Sequence, residues 1–244
     1  TEAAAIITEE VEYGEGDTRL KGYLAYPKDE SPRPGVLVVH EWWGHNAYAR
    51  ERAKKLAELG YVAFAVDMYG DGKSTEHPKE AGEFAAAALK DLKVAEDRFL
   101  AAKNRLLATG RVKPGQIAAI GYCFGGGVVL HMARAGLDLN GVVSFHGSLK
   151  TQTPAEAGAV KAGILVCHGV NDPMVPPEQV GEFMREMTAA GAELTFAAYP
   201  GATHSFTNPD ADSFAEKFGL PIGYNAKADQ RSWADMQAFF ERIF

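Results

Sequence analysis

A cysteine set among glycines is where the residue types first suggest chemistry. Gly121-Tyr122-Cys123-Phe124-Gly125 follows the apolar run QIAAI and opens the pattern FGGGVVLHMARA. A G-x-nucleophile-x-G pentapeptide at a strand-to-helix turn is a nucleophile elbow, here with cysteine where serine is usual. The tight turn strains the nucleophile's backbone and projects its side chain from the sheet edge. Residues two before and two after it crowd one another, which glycine relieves. The N–H groups and positive dipole end of the following helix lie beside the sulfur, where they favour a thiolate and an oxyanion. A small buried core cysteine with packing glycines would explain the pentapeptide alone. It does not explain the strand–turn–helix setting.

A thiol nucleophile needs a base, and the base needs an orienting acid. On a sheet of this type the chain order is nucleophile, acid, histidine. LVCHGVNDPMVPP places Asp172 in a loop just past an apolar run, and AAYPGATHSFTNP places His204 past the next one. Each has an ordinary alternative, a turn aspartate and a surface-loop histidine. Their joint order and strand-end placement favour a Cys123, His204, Asp172 set.

The elements that must position these residues read as alternating strands and helices. Residues 8–27 alternate as an N-terminal hairpin. Continuous apolar runs at 34–44, 61–70, 116–123, 141–147, 162–169 and 192–200 read as buried strands. Helical spacing covers 46–59, 124–135, 177–190 and 226–243. An Ala-rich helical pattern runs from Pro78 to about Ala108, with Gly110 after its end. This is an α/β chain with a mostly parallel sheet covered on both faces. Without repeats or linkers it is expected to form one domain over residues 1–244. Ligands of such sheets bind at the carboxyl ends of the strands.

Composition narrows the partners. With 25 Lys and Arg against 32 Asp and Glu, the net charge is −7, which argues against nucleic acid and anionic membranes. No run reaches transmembrane length. Cys123 and Cys167 stand in unlike contexts, so they form no disulfide framework and suit a reducing compartment. The expectation is a cytoplasmic protein, or an exported one whose leader is removed before Thr1. No His, Cys, Asp or Glu cluster has ligand spacing, so no metal is expected. No G-x-G-x-x-G follows a strand, so no nucleotide cofactor is expected.

Gly-Tyr-Cys-Phe-Gly, Asn-Asp-Pro-Met-Val-Pro, His-Ser-Phe and the stretch His40-Glu41-Trp42-Trp43-Gly44 together resemble the dienelactone hydrolase family. The resemblance covers about residues 10–243 and implies the α/β-hydrolase fold. It implies a Cys123–His204–Asp172 triad that cleaves an ester or lactone through an acyl-enzyme. It also implies that Glu41 contacts the resting thiol and gates its ionisation, and that the backbone N–H groups of Phe124 and Trp42 form the oxyanion hole. The chain departs from the family at the substrate's carboxylate. Dienelactone hydrolases proper are expected to hold it with two arginines, one after the strand ending DMYG and one just past the histidine. Asp67-Met68-Tyr69-Gly70-Asp71-Gly72-Lys73 and His204-Ser205-Phe206-Thr207-Asn208 contain none. Lys73 and Arg231 are the remaining cations that would serve. A neutral small-molecule ester or lactone is the expected substrate. Alternatives are a thioesterase, a hydrolase of small carbonyl xenobiotics, or a non-catalytic ligand-binding protein on the same fold.

From the residues alone, a carboxylate at Glu41, directly after VLVVH, is expensive to bury unless partnered. Trp42 and Trp43 either line a pocket or pack. Trp43, Tyr69, Tyr122 and Phe206 are the candidates for lining it. Cys167 reads as a buried structural thiol and His168 as a hydrogen-bonded structural histidine. His40 and His146 end strands with no partner that the sequence names, and His131 packs or faces solvent.

Overall fold

The computed structural model describes residues 5–244. The chain divides into two compact units whose boundary falls between Ala119 and Ile120. Among the described residues there are eight strands and seven helices.

In the first unit β1 (Ile6–Glu15) and β2 (Thr18–Pro27) form an antiparallel hairpin with Glu15 opposite Thr18. Gly16 takes the positive φ of 53° that this two-residue turn requires. β2 runs antiparallel to β4 (Val62–Val66), and β3 (Arg33–Val39) runs parallel to β4, with Leu24 and Leu37 flanking Phe64. The order is therefore β1-β2-β4-β3. A parallel pair needs a crossover, which α1 (Ala47–Glu58) supplies. Asn46 caps it by accepting the Ala49 N–H at 3.4 Å. Every residue of β4 is buried, which is why the run VAFAV shows no alternation.

The helical pattern expected to run unbroken from Pro78 to about Ala108 is instead two helices, α2 (Pro78–Leu89) and α3 (Leu92–Leu107). Asp91 separates them. Its backbone is extended and its carboxylate accepts the N–H groups of Lys93 and Val94 at 2.9 and 3.4 Å. An aspartate that can cap a new helix competes with continuing the old one. Helical periodicity does not reveal that competition.

β5 (Val112–Tyr122) carries the chain through the unit boundary. The second unit then holds α4 (Phe124–Arg134), β6 (Gly141–Phe145), β7 (Gly163–Gly169), α5 (Pro177–Ala190), β8 (Leu194–Tyr199) and α7 (Ala226–Ile243). β6, β7 and β8 are parallel, with Val143 opposite Leu165 and Val166 opposite Phe196. Phe145, Phe183, Phe206 and Phe240 fill the core. α6 (Ala211–Phe218) was not expected from the sequence. It is short, and Ala211 is its one buried residue, so it leaves a weak periodic signal. Among the described residues no helix is long and apolar enough to cross a membrane.

Asp67, just past β4, is fully buried. One carboxylate oxygen accepts the N–H groups of Lys21 and Gly72 at 3.0 and 2.7 Å, the other those of Tyr69 and Gly70 at 3.0 and 2.8 Å. This one side chain ties the loop after β4 to β2. Asp67→Asn turns an amide NH2 toward two of those donors. It should cost about 2–4 kcal/mol of stability, read from the urea midpoint.

Candidate active site

The elbow is built as the pentapeptide demands. Cys123 has φ 53° and ψ −115°, outside the regions that side-chain-bearing residues favour. Its N–H donates to the Phe145 carbonyl at 3.0 Å, and its own carbonyl accepts the Gly127 N–H at 3.2 Å in the first turn of α4. A Cβ on Gly121 would lie 2.0 Å from the Gly125 carbonyl oxygen, so the crowding expected of the turn is present. A Cβ on Gly126 would lie 2.6 Å from Ser144 Oγ and 2.8 Å from Gly147 Cα. Glycine there lets the start of α4 close on the end of β6. The sulfur is half-buried and forms no disulfide.

His204, in the loop after β8, is bonded on both sides. Nδ1 lies 2.8 Å from Asp172 Oδ2, and Nε2 lies 3.1 Å from Cys123 Sγ. Asp172 is reached through the turn after β7, where its Oδ1 accepts the Met174 N–H at 2.8 Å. Its side chain is wholly shielded from solvent. The acid and histidine loops are tied together. Asn171 donates its N–H to the Ala202 carbonyl at 2.9 Å and accepts the Gly201 N–H on its side-chain oxygen at 2.8 Å. A Cβ on Gly169 would lie 2.6 Å from the Ala202 carbonyl oxygen, so glycine permits that approach. Asn171 opens the Asn-Asp-Pro-Met-Val-Pro stretch, but the sequence does not show that it bridges to the histidine loop, nor that Gly169 permits the approach.

Electrostatics follow from this enclosure. Burial alone would depress the His204 pKa. The charge on Cys123 and the Asp172 carboxylate outweigh it and hold the imidazolium up to about 10. Nδ1–H faces the carboxylate, so the other nitrogen is left for the sulfur. Cys167 is fully buried, and burial pushes its thiol up to about 12. It is an inert thiol. His168, at the end of β7, has its pKa lowered by burial, with its ring 5.6 Å from Phe196.

The sequence candidates therefore divide. Cys123, His204 and Asp172 come together in the second unit. Phe124 occupies the first helical position of α4. Tyr122 and Phe206 are fully buried, Tyr122 stacking on Phe145 at 4.7 Å. Glu41, Trp42, Trp43 and Tyr69 belong to the first unit. There Glu41 and Trp43 are buried, Trp42 is half-buried, and the Tyr69 hydroxyl donates to the Trp42 carbonyl at 2.9 Å. His40 does have partners. Its Nε2 accepts the Met68 N–H at 3.2 Å, which places the proton on Nδ1 for donation to the Glu41 carbonyl at 2.6 Å. Arg231 stacks over the Tyr199 ring at 5.8 Å, and Asp71 pairs with Arg19 at 3.0 Å.

With this geometry in view, the family model for the dienelactone hydrolase family matches residues 20–244. The chain belongs to the dienelactone hydrolase family. Protein usf of Aquifex pyrophilus is 28% identical over 236 residues, covering 95% of this chain and 96% of that one. A dienelactone hydrolase-like promiscuous phosphotriesterase from metagenomic libraries superposes with a TM-score of 0.92 at 36% identity, covering 98% of this chain and 99% of its own. The structure named m3DLH gives 0.92 at 35%, with the same coverage. This dienelactone hydrolase family member is a hydrolase with the α/β-hydrolase fold.

Two outcomes follow from the site. Gly121→Ala forces a Cβ into the Gly125 carbonyl and should abolish the elbow. The variant should be at least about 2 kcal/mol less stable and show slowed alkylation at Cys123. Second, the native imidazole holds its proton more tightly than an unfolded histidine, with a pKa near 10 rather than 6.5. Its contribution to stability is then complete below 6.5 and lost as the pH rises toward 10. Urea midpoints across that range should fall in the wild type more steeply than in His204→Asn.

Proposed function

We propose that the protein hydrolyses carboxylic esters or lactones with Cys123 as nucleophile. The observation that supports this best is the pair of distances at His204, 3.1 Å to the Cys123 sulfur and 2.8 Å to the Asp172 carboxylate, behind a strained elbow. The thiolate attacks the carbonyl carbon, and the tetrahedral oxyanion draws on the Phe124 N–H at the start of α4. The His204 imidazolium gives its proton to the departing alkoxide, leaving a thioester. Neutral His204 then takes a proton from water, hydroxide adds to the thioester carbonyl, and collapse returns the thiolate–imidazolium pair with the free acid. Asp172 keeps the imidazole in one tautomer throughout.

The favoured substrate is neutral. An arginine fork is the usual way to bind a carboxylate, and the histidine loop Ser205–Asn208 contains no cation. The loop's polar groups are engaged internally, Thr207 with His146 and Asn208 Oδ1 with the Asp210 N–H at 2.9 Å. A second reading, turnover of neutral phosphotriesters, is favoured by the 36% identical promiscuous phosphotriesterase. The roles of Glu41 in gating the thiol and of Trp42 in the oxyanion hole rest on the family resemblance. A changed pH profile of iodoacetamide alkylation in Glu41→Gln would support the first.

The test is a variant series on an activated aryl ester, with circular dichroism to check folding. Cys123→Ala and His204→Ala should each lose about four orders of magnitude in kcat/KM, and Asp172→Asn about two to four. Wild-type turnover by Cys123→Ala would end the reading. For substrate charge, the neutral ester should exceed a carboxylate-bearing dienelactone of like reactivity by a factor of about 10 to 150, the value of one lost charge-assisted pair.

A further inference from the structure

The His204 ring has a neighbour that the reaction above does not use. His146 follows β6 directly and is buried. Its ring centroid lies 5.5 Å from that of His204, with the two planes inclined at 64°. Its Nε2 lies 2.8 Å from the Thr207 hydroxyl, and Thr207 is itself fully buried. Phe206 meets the same ring edge to face at 5.0 Å. His146 therefore meets this loop at three residues, His204, Phe206 and Thr207.

Backbone conformation adds an independent observation. His146 has φ of 40°, in the left-handed region that few residues other than glycine adopt. Its N–H is pinned to the Cys167 carbonyl at 2.9 Å. Ser205, next to His204, is also left-handed at 60°. A strained loop keeps one geometry only where its surroundings over-determine it. Hydrogen bonds from Gly223 N–H to the His204 carbonyl at 3.1 Å and from Asn225 N–H to the Phe206 carbonyl at 3.0 Å hold this loop's backbone. They leave the rotation of the imidazole about its own side-chain bonds to other contacts.

We propose that His146 is a positioning residue for the His204 imidazole: its ring, oriented by Thr207, holds the plane of His204 so that Nε2 stays on the sulfur while Nδ1 stays on Asp172. The inference rests on the triad reading above. A proton-transfer group that wanders from its partner loses rate without losing substrate affinity. The effect of losing His146 therefore belongs in kcat.

Three variants test this: Thr207→Val, which keeps shape and removes the hydroxyl, His146→Asn, which suits the left-handed backbone, and the two combined. The measurements are kcat and KM on an aryl ester, and the pH profile of Cys123 alkylation by iodoacetamide, which also counts folded sites. The expected result is a fall in kcat of about tenfold with KM unchanged, an alkylation midpoint moved to higher pH, and a double variant no worse than the poorer single one. Thr207→Val with wild-type kcat and alkylation profile would overturn the proposal, as would losses that simply add. If His146→Asn does not fold, Thr207→Val still decides. His204→Ala run alongside separates the two readings. Activity in that variant defeats the triad, whereas an inactive His204→Ala beside an unaltered Thr207→Val defeats the role of His146 alone.

Discussion

One imidazole hydrogen-bonded on both of its nitrogens sets the terms for the second half of the chain. His204 must meet a sulfur at 3.1 Å and a carboxylate at 2.8 Å at once. The three residues come from the ends of β5, β7 and β8. Each loop must therefore stop its strand abruptly and approach its neighbours more closely than side chains allow. Glycine at 121, 126 and 169 opens the way, since a Cβ at each would fall within 2.0–2.6 Å of another atom. Left-handed backbone at Cys123, His146 and Ser205 aims the side chains.

Such backbone strain costs about 1–3 kcal/mol per residue and persists only where the surroundings are rigid. Here the surroundings are β6 and β7, every residue of which is buried, and the cross-bonds of Asn171 to the histidine loop. The first unit shows the same economy in a different form. Asp67 places a buried carboxylate where four backbone N–H groups would otherwise lack acceptors. A charge so fully hydrogen-bonded is tolerated in an interior that would reject it alone.

The same arrangement explains why family membership leaves the substrate open. The fold requires strand-end loops of fixed geometry, whereas the side chains on those loops can be exchanged without changing it. In this chain the polar residues after His204 are turned inward. Thr207 and Asn208 are buried and bonded within the second unit.

What the sequence determined by itself is local in origin. A buried parallel strand needs a continuous apolar run, an elbow needs glycines two positions either side of the nucleophile, and a triad on this sheet runs in one chain order. Fold class, most element positions and the meeting of Cys123, Asp172 and His204 at the strand ends could be read from those rules. Tertiary structure decided what depends on distant partners. The break at Asp91 turns on which of two hydrogen-bonding options the chain takes, and α6 is too short for its periodicity to show. His40 finds Met68, 28 residues away, and His146 finds Thr207, 61 residues away. A histidine's type says that it can hydrogen-bond in either direction. Only the folded chain brings it the atom that settles which nitrogen carries the proton and what the ring holds in place.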